Sequence, residues 1–378
     1  MWIYILIFAI VAYLTYNDYQ GHPLTKQGLA IVMTCLALFV GLSDMLGGYD
    51  RYIYGELFDD VADMVRAGDY NFEQSAVMQL YGLEKGYVYF NVLISFITRN
   101  RYIFILIMTL MIYFNIYHAI KNYTDNYSFA IIIFLGFWFF FTFTYLRQAM
   151  AATIAWYGIK YILDRKLWKF LAVMAVAYMF HNSAIVFVPF YFIPIIKFNR
   201  NTLIWILVSI FILGASGFPS LLFEAYASVT AEQARLTESM EDTGVRWAYL
   251  IESAVIMYFI FANYDKLFED ERQTLMTNMA IVFAALLVLF YRSENGGRLS
   301  WVFIIGLIST LSTIASQKKA MRNMLIILCF GLYIRIVMAW GVLLSPYKTF
   351  LTPGIRNNDY IEEYYEYDHN YDVDKFYR

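Results

Sequence analysis

Apolar runs recur from one end of this 378-residue chain to the other, and no polar block between them is large enough to fold as a separate soluble domain. A helix that crosses a bilayer needs about 20 mostly apolar residues, rising about 1.5 Å each through a hydrocarbon core of roughly 30 Å. Twelve stretches meet or approach that length: 2–16, 27–43, 102–120, 127–146, 147–163, 168–183, 184–197, 201–217, 247–263, 275–291, 298–316 and 322–344. The sequence therefore predicts an all-α polytopic membrane protein with about 12 transmembrane helices. Composition agrees. Of the residues, 61% are apolar and 15% charged, where a soluble domain has about 45–50% and about 25%. A soluble globular protein, a disordered chain and a disulfide scaffold are excluded. The opening MWIYILIFAIVAYLTY lacks a basic leader and a small-residue cleavage site, so it reads as a first span rather than a removed signal peptide. Cys35 and Cys329 sit inside apolar runs and read as small hydrophobes.

Two long runs must be divided. Residues 127–163 would make one helix of about 55 Å, too long for a single crossing. The strongly polar point in that run is Leu146-Arg147-Gln148, where a turn is expected. Residues 168–197 break at His181-Asn182-Ser183, and Pro189 and Pro194 interrupt the second half. One long tilted helix is the competing reading there. The segment 87–98, YVYFNVLISFIT, is apolar but too short to span, and is expected to be a re-entrant or interfacial outer helix.

Lysine and arginine in short loops set the orientation. Loops 17–26, 121–126, 164–167, 198–200, 264–274 and 317–321, with their immediate flanks, hold twelve basic residues against seven acidic ones and are placed inside. The other side is strongly acidic, and both termini fall on it. On this reading residues 1–346 form a single helical transmembrane domain with outer loops 44–101 and 218–246. Residues 347–378 form an acidic, tyrosine-rich outer tail, solvated or resting on headgroups. The net charge of −2 leaves no basic footprint, so no nucleic-acid partner is expected.

An ionisable side chain inside a span is costly and is a functional candidate by default. Arg147, His181, Glu252, Arg298 and Arg335 all fall in the outer halves of their helices. Arg292 and Glu294 lie in the outer loop beside Arg298. Such a lopsided set suggests a polar cavity open to the outer leaflet, and argues against an ion channel or proton-coupled pump with polar groups in both leaflets. Each candidate has a plainer reading. Arg292 and Arg298 could anchor helix ends at headgroups, Arg147 could cap a hairpin, His181 could be a neutral core histidine, and Arg335 could pair with Glu252. Lys160 and His118 lie near inner helix ends, where long side chains snorkel. Asp59-Asp60-x-x-Asp63 imitates an aspartate-rich magnesium motif, but a second such motif is missing and a solvated acidic helix reads more simply. Asp372-Val373-Asp374 is weaker still. No P-loop, GxSxG, HExxH or dinucleotide fingerprint occurs.

Several arginines facing one outer cavity suit a pyrophosphate. Guanidinium forks grip phosphate oxygens and keep their charge when partly buried. They would also stabilise the charge that develops on a departing diphosphate. A histidine or carboxylate nearby could take a proton from an attacking hydroxyl.

The sequence here resembles the EpsG-type, Wzy-like bacterial polysaccharide polymerases. The shared features are Gly48-Tyr49-Asp50-xxx-Tyr54, Glu84-x-Gly86 before an apolar segment, and FWFFFTFTYLRQAMA containing Arg147-Gln148. His181-x-Ser183-Ala184, a late arginine at Arg298, and Pro346-Tyr347 complete the series. The resemblance implies a GT-C-like, all-helical membrane glycosyltransferase in the bacterial cytoplasmic membrane, its active site facing the exterior. It implies polymerisation of undecaprenyl-diphosphate-linked repeat units, donor and acceptor both being polyprenyl-diphosphate-linked glycans. A chain-length regulator protein is an implied partner, and no cofactor or metal is implied. On this basis His181, Asp50 and Arg147 are the catalytic candidates. Arg298, Arg335, Arg292, Glu84, Gln148 and Tyr54 are the substrate-binding ones. A glycan ligase using the same lipid-linked donor, and a lipid-linked-glycan transporter or flippase, are the alternative readings.

Overall fold

A computed structural model describes residues 1–222, 244–293, 296–356 and 368–378. Glu294, much of the 218–246 loop and the centre of the tail lie outside the described residues. Within them the chain is helical throughout, with a single isolated bridge between Ser43 and Thr349 in place of any strand. Five helices are long and apolar enough to cross a membrane: Trp2–Tyr19, Arg101–Tyr123, Glu271–Leu289, Gly296–Gln317 and Lys319–Ala339. Six shorter apolar helices accompany them: Lys26–Gly41, Tyr127–Phe137, Leu167–Phe180, Asn182–Phe192, Arg200–Ala215 and Trp247–Ala262. This is the architecture of a multi-pass membrane protein.

Polar caps mark where several of these helices begin. Asn100 accepts from the backbone N–H groups of Tyr102 and Ile103, Asn126 from that of Phe129, and Asp270 from that of Gln273. Each satisfies a donor that the first helical turn leaves unpaired. The helices then sort by burial. Gly296–Gln317 and Glu271–Leu289 are the central pair, 83% and 72% buried, whereas Trp2–Tyr19 and Lys319–Ala339 are each 22% buried and lie at the periphery. Gly306 lets the central pair close up, because a Cβ there would meet the Cβ of Met279 at 2.2 Å. Small residues at such contacts are the usual means of close helix approach in lipid, where burial from water supplies no drive.

Both long apolar runs fold back on themselves. Trp138 packs on Trp156 with ring centroids 5.6 Å apart, and the two tryptophans lie equally far before and after Arg147 in sequence. The chain therefore reverses at Arg147. The second run reverses at His181: Phe170 packs on Tyr191 at 5.1 Å, and Arg165 Nη1 donates to the Tyr191 carbonyl at 3.2 Å. These contacts exclude one long tilted helix over 168–197.

The short helix Lys85–Ser95 is too short to cross, and it leaves Tyr89 and Leu93, with Phe96 and Ile97 just beyond it, largely exposed. An apolar face on a helix of this length suits an interfacial position.

The loops expected to share a side do meet. Arg272 pairs with Asp125 at 3.1 Å, Lys197 and Arg200 share Asp265 at 2.7 and 3.0 Å, and Asn126 reaches Ser316 at 3.2 Å. The helix Tyr49–Ala67, the turns at Arg147 and His181, and residues 341–356 collect at the opposite end.

The end of the chain departs from the expected solvated tail. Tyr371 is fully buried, and its hydroxyl donates to Asp59 Oδ1 at 3.1 Å. Asp59 Oδ2 in turn pairs with Arg101 at 2.6 Å. Lys375, 2% exposed, pairs with Asp44 at 3.1 Å, and Asn100 Nδ2 donates to its carbonyl at 2.6 Å. Arg378 reaches Asp63 at 2.9 Å. The aspartates over 59–63 are thus spent on protein partners, Asp60 accepting the backbone N–H of Ala76 at 2.8 Å. Asp59 is buried while Asp63 stays largely exposed, and among the described residues no cluster of metal-ligating side chains occurs. Sequence reading missed this because each pair joins residues far apart in the chain.

Candidate active site

The site begins with the aromatic box around Arg147. The helix Leu146–Ala155 starts at the hairpin turn, which puts Arg147 in its first turn. The guanidinium carbon lies 3.5 Å from the centre of the Tyr81 ring, 5.6 Å from Tyr87 and 5.7 Å from Tyr54. Ring faces attract a cation, by about 2 kcal/mol where it is desolvated. Nη1 ion-pairs with Glu84 Oε2, and the two side chains are 14% and 3% exposed. Glu84 Oε1 accepts the backbone N–H of Asn182 at 3.2 Å. One carboxylate therefore ties the first hairpin turn to the second.

Glycine explains the spacing Glu84-x-Gly86. A Cβ on Gly86 would meet the Cβ of Met179 at 2.8 Å and its carbonyl oxygen at 3.0 Å. The bare backbone lets the helix Lys85–Ser95 press against the last turn before His181 and brings Glu84 within reach of Asn182. His181 itself is in extended conformation, with φ −160° and ψ 130°. Its Nδ1 accepts the backbone N–H of Ser183 at 3.1 Å and lies 2.9 Å from the Ser183 hydroxyl.

Arg298 enters from a third segment, the 3-10 helix Gly296–Phe303. Its guanidinium lies 4.7 Å from the centre of the Tyr145 ring. Among the described residues that guanidinium makes no hydrogen bond or ion pair. Tyr145 packs on Trp301 at 5.2 Å, and Trp156 Nε1 donates to the Val302 carbonyl at 2.8 Å, so the segment is fastened to the hairpin. The fields of Arg147 and Arg298 both reach His181. Arg147, His181 and Arg298, separated by 34 residues or more in sequence, thus come together.

The other candidates fall into three groups. Tyr54 is buried and borders Arg147, while Asp50, one turn earlier on the same helix, acts electrostatically on Tyr54. Gln148 is a positioning group here, because its Nε2 donates to the Arg298 carbonyl at 3.0 Å. Arg335 and Arg292 do not join the pocket. Arg335 is exposed on its helix and its charge acts on Glu252. Arg292 donates to the Ala215 carbonyl at 3.2 Å and lines a separate cavity of about 150 Å³ with Gly214, Ser216 and Ser293.

Sequence reading missed Tyr81 and Tyr87, which flank Glu84 at three residues on either side; that spacing was the available signal. It also missed Arg51, next to Asp50. Arg51 is fully buried and donates to the carbonyls of Phe143 at 2.7 Å, Ser43 at 3.2 Å and Val40 at 2.9 Å, and to the Ser43 hydroxyl at 2.6 Å. It clamps the backbone just before the Arg147 turn.

No curated protein and no solved structure matches this chain. A family model does, over residues 26–353, which takes in every element of the pocket. The chain belongs to the EpsG family.

Proposed function

We propose that this protein is a glycosyltransferase that polymerises polyprenyl-diphosphate-linked oligosaccharide repeat units in the bacterial cytoplasmic membrane. The family supports a polysaccharide polymerase. The observation that carries the finer reading is the convergence of Arg147, His181 and Arg298 from three separate segments on one aromatic pocket. Glu84 neutralises Arg147, whereas Arg298 keeps an uncompensated charge among the described residues. Arg298 is thus the residue suited to grip the diphosphate, and Arg147 reinforces it from the tyrosine box. The lysine- and arginine-rich loops lie at the opposite end, which supports a pocket facing the exterior.

In the reaction, the acceptor hydroxyl attacks the anomeric carbon, and the bond to the diphosphate oxygen breaks with its electron pair leaving on the diphosphate. Positive donors around that oxygen stabilise the charge as it develops. His181 and Asp50 are the two candidates to receive the acceptor's proton.

The test replaces Arg147, His181 or Arg298 singly by alanine at equal protein abundance and resolves the polymer as a ladder. Loss of long polymer is expected for each. Full-length polymer at the normal rate overturns the reading, and a single capped unit in place of a ladder points to a ligase.

A further inference from the structure

We infer that His181 is a hydrogen-bond donor to substrate phosphate, through an Nε2–H fixed by Ser183, and does not take the acceptor's proton. The inference rests on the proposed function and refines it. A backbone N–H is an obligatory donor, so the nitrogen that accepts it carries no proton of its own. Ser183 N donates to His181 Nδ1 at 3.1 Å, and the Ser183 hydroxyl at 2.9 Å must donate to the same nitrogen. The ring is therefore neutral with its proton on Nε2. Protonating Nδ1 would set two N–H groups against each other.

Nε2–H meets no protein acceptor among the described residues, whereas Nδ1 is held by the Ser183 N–H and hydroxyl. The charged groups around the ring are Arg147 and Arg298, whose fields reach it, and Glu84, tied to the next residue. Two guanidiniums and one N–H are donors that fit an anion, and the one carboxylate beside them, Glu84, has its oxygens taken up by Arg147 and the Asn182 N–H. Ser183 is the positioning residue. The acceptor's proton then goes to the carboxylate of Asp50 as the new glycosidic bond forms, and the diphosphate leaves with the electron pair of the broken bond.

The experiment uses 15N-histidine-labelled full-length protein in nanodiscs. The chain has four histidines, and the His181→Gln variant removes one set of resonances and so assigns it. His181 is expected to show a bare Nδ1 and a protonated Nε2, unchanged from about pH 6 to about 8, where a free imidazole titrates. A protonated Nδ1, or a ring that titrates in that window, overturns the inference. A second arm compares variants in cells. The glutamine amide reaches the Nε2 position and still donates, so His181→Gln is expected to retain ladder synthesis within about tenfold, whereas His181→Ala loses about 100-fold. His181→Gln as inactive as His181→Ala sinks the donor role. If cells make the same polymer with and without the protein, it is the proposed function that has failed, and the tautomer measurement still stands.

Discussion

Glu84 and Arg147 form an ion pair between two hairpin turns, with both side chains nearly out of solvent and three tyrosine rings around the guanidinium. Removing one partner of a buried pair leaves the other charge uncompensated, at a cost of about 3–5 kcal/mol. Glu84→Ala is therefore expected to lower the unfolding temperature in detergent clearly, and to abolish polymer synthesis even where protein survives. Glu84→Gln keeps an acceptor for the Asn182 N–H and should lose less stability than Glu84→Ala. Equal unfolding temperatures for the two variants would show that the acceptor for the Asn182 N–H is idle.

Gly86 should be as sensitive as the charged pair, for a steric reason. Its absent Cβ is what admits the backbone at Met179. Gly86→Val forces the helix Lys85–Ser95 away from the His181 turn and breaks the Glu84–Asn182 contact. Overpacking of this kind costs about 1–3 kcal/mol, and ladder synthesis should fall with it. A variant with normal polymer would show that the close approach is dispensable.

The two turns of the pocket were legible in the sequence, Arg147 as the polar point of a run too long to cross once and His181 as the polar break ahead of Pro189 and Pro194. Arg147 and His181 announce themselves by cost. The partners they take were not legible. Tyr81, Tyr87 and Glu84 precede Arg147 by about sixty residues or more, and helical periodicity records which face is buried without recording against what. Arg51 was missed for the same reason. In sequence it is one more loop arginine, while its acceptors are main-chain carbonyls that no residue type announces. The return of residues 368–378 onto Asp44, Asp59 and Asn100 spans most of the chain and leaves only an acidic, aromatic composition behind.

Arg51 is expected to act through position. Arg51→Met keeps much of the side chain's length but leaves the carbonyls of Phe143, Ser43 and Val40 short of a donor. Each buried group left unpaired costs about 1–3 kcal/mol. Unfolding temperature and polymer synthesis should drop together, and Arg51→Lys should rescue only in part because one ammonium cannot span the fork. Complete rescue by lysine would show that charge alone matters at this position.

Deleting residues 368–378 should destabilise the Tyr49–Ala67 region. The deletion strips Asp44 of Lys375, and Asp59 of Tyr371. Tyr371→Phe removes only the hydroxyl on Asp59 and is expected to cost about 1 kcal/mol, the net worth of an ordinary hydrogen bond. Limited proteolysis around residues 44–100 is the readout. Cleavage there should quicken sharply for the deletion and slightly for Tyr371→Phe. Unchanged protection would mean that the docked end contributes nothing.

Arg298 and Arg335 are both substrate-binding candidates in sequence, and the fold separates them. Arg298 stands on Tyr145, its charge acts on His181, and its guanidinium makes no hydrogen bond among the described residues. Arg335 is exposed on a peripheral helix, and its charge acts on Glu252. A guanidinium that holds the leaving diphosphate contributes most as charge develops, so Arg298→Ala should lower polymerisation by about 100-fold or more. Arg335→Ala removes a charge away from the pocket and should change the rate by less than about tenfold. Both variants are measured as initial rates of ladder growth at matched protein abundance. If Arg335→Ala is the more damaging of the two, the diphosphate sits between the Trp247–Ala262 and Lys319–Ala339 helices, and the pocket around Arg147 is not where the glycosidic bond is made.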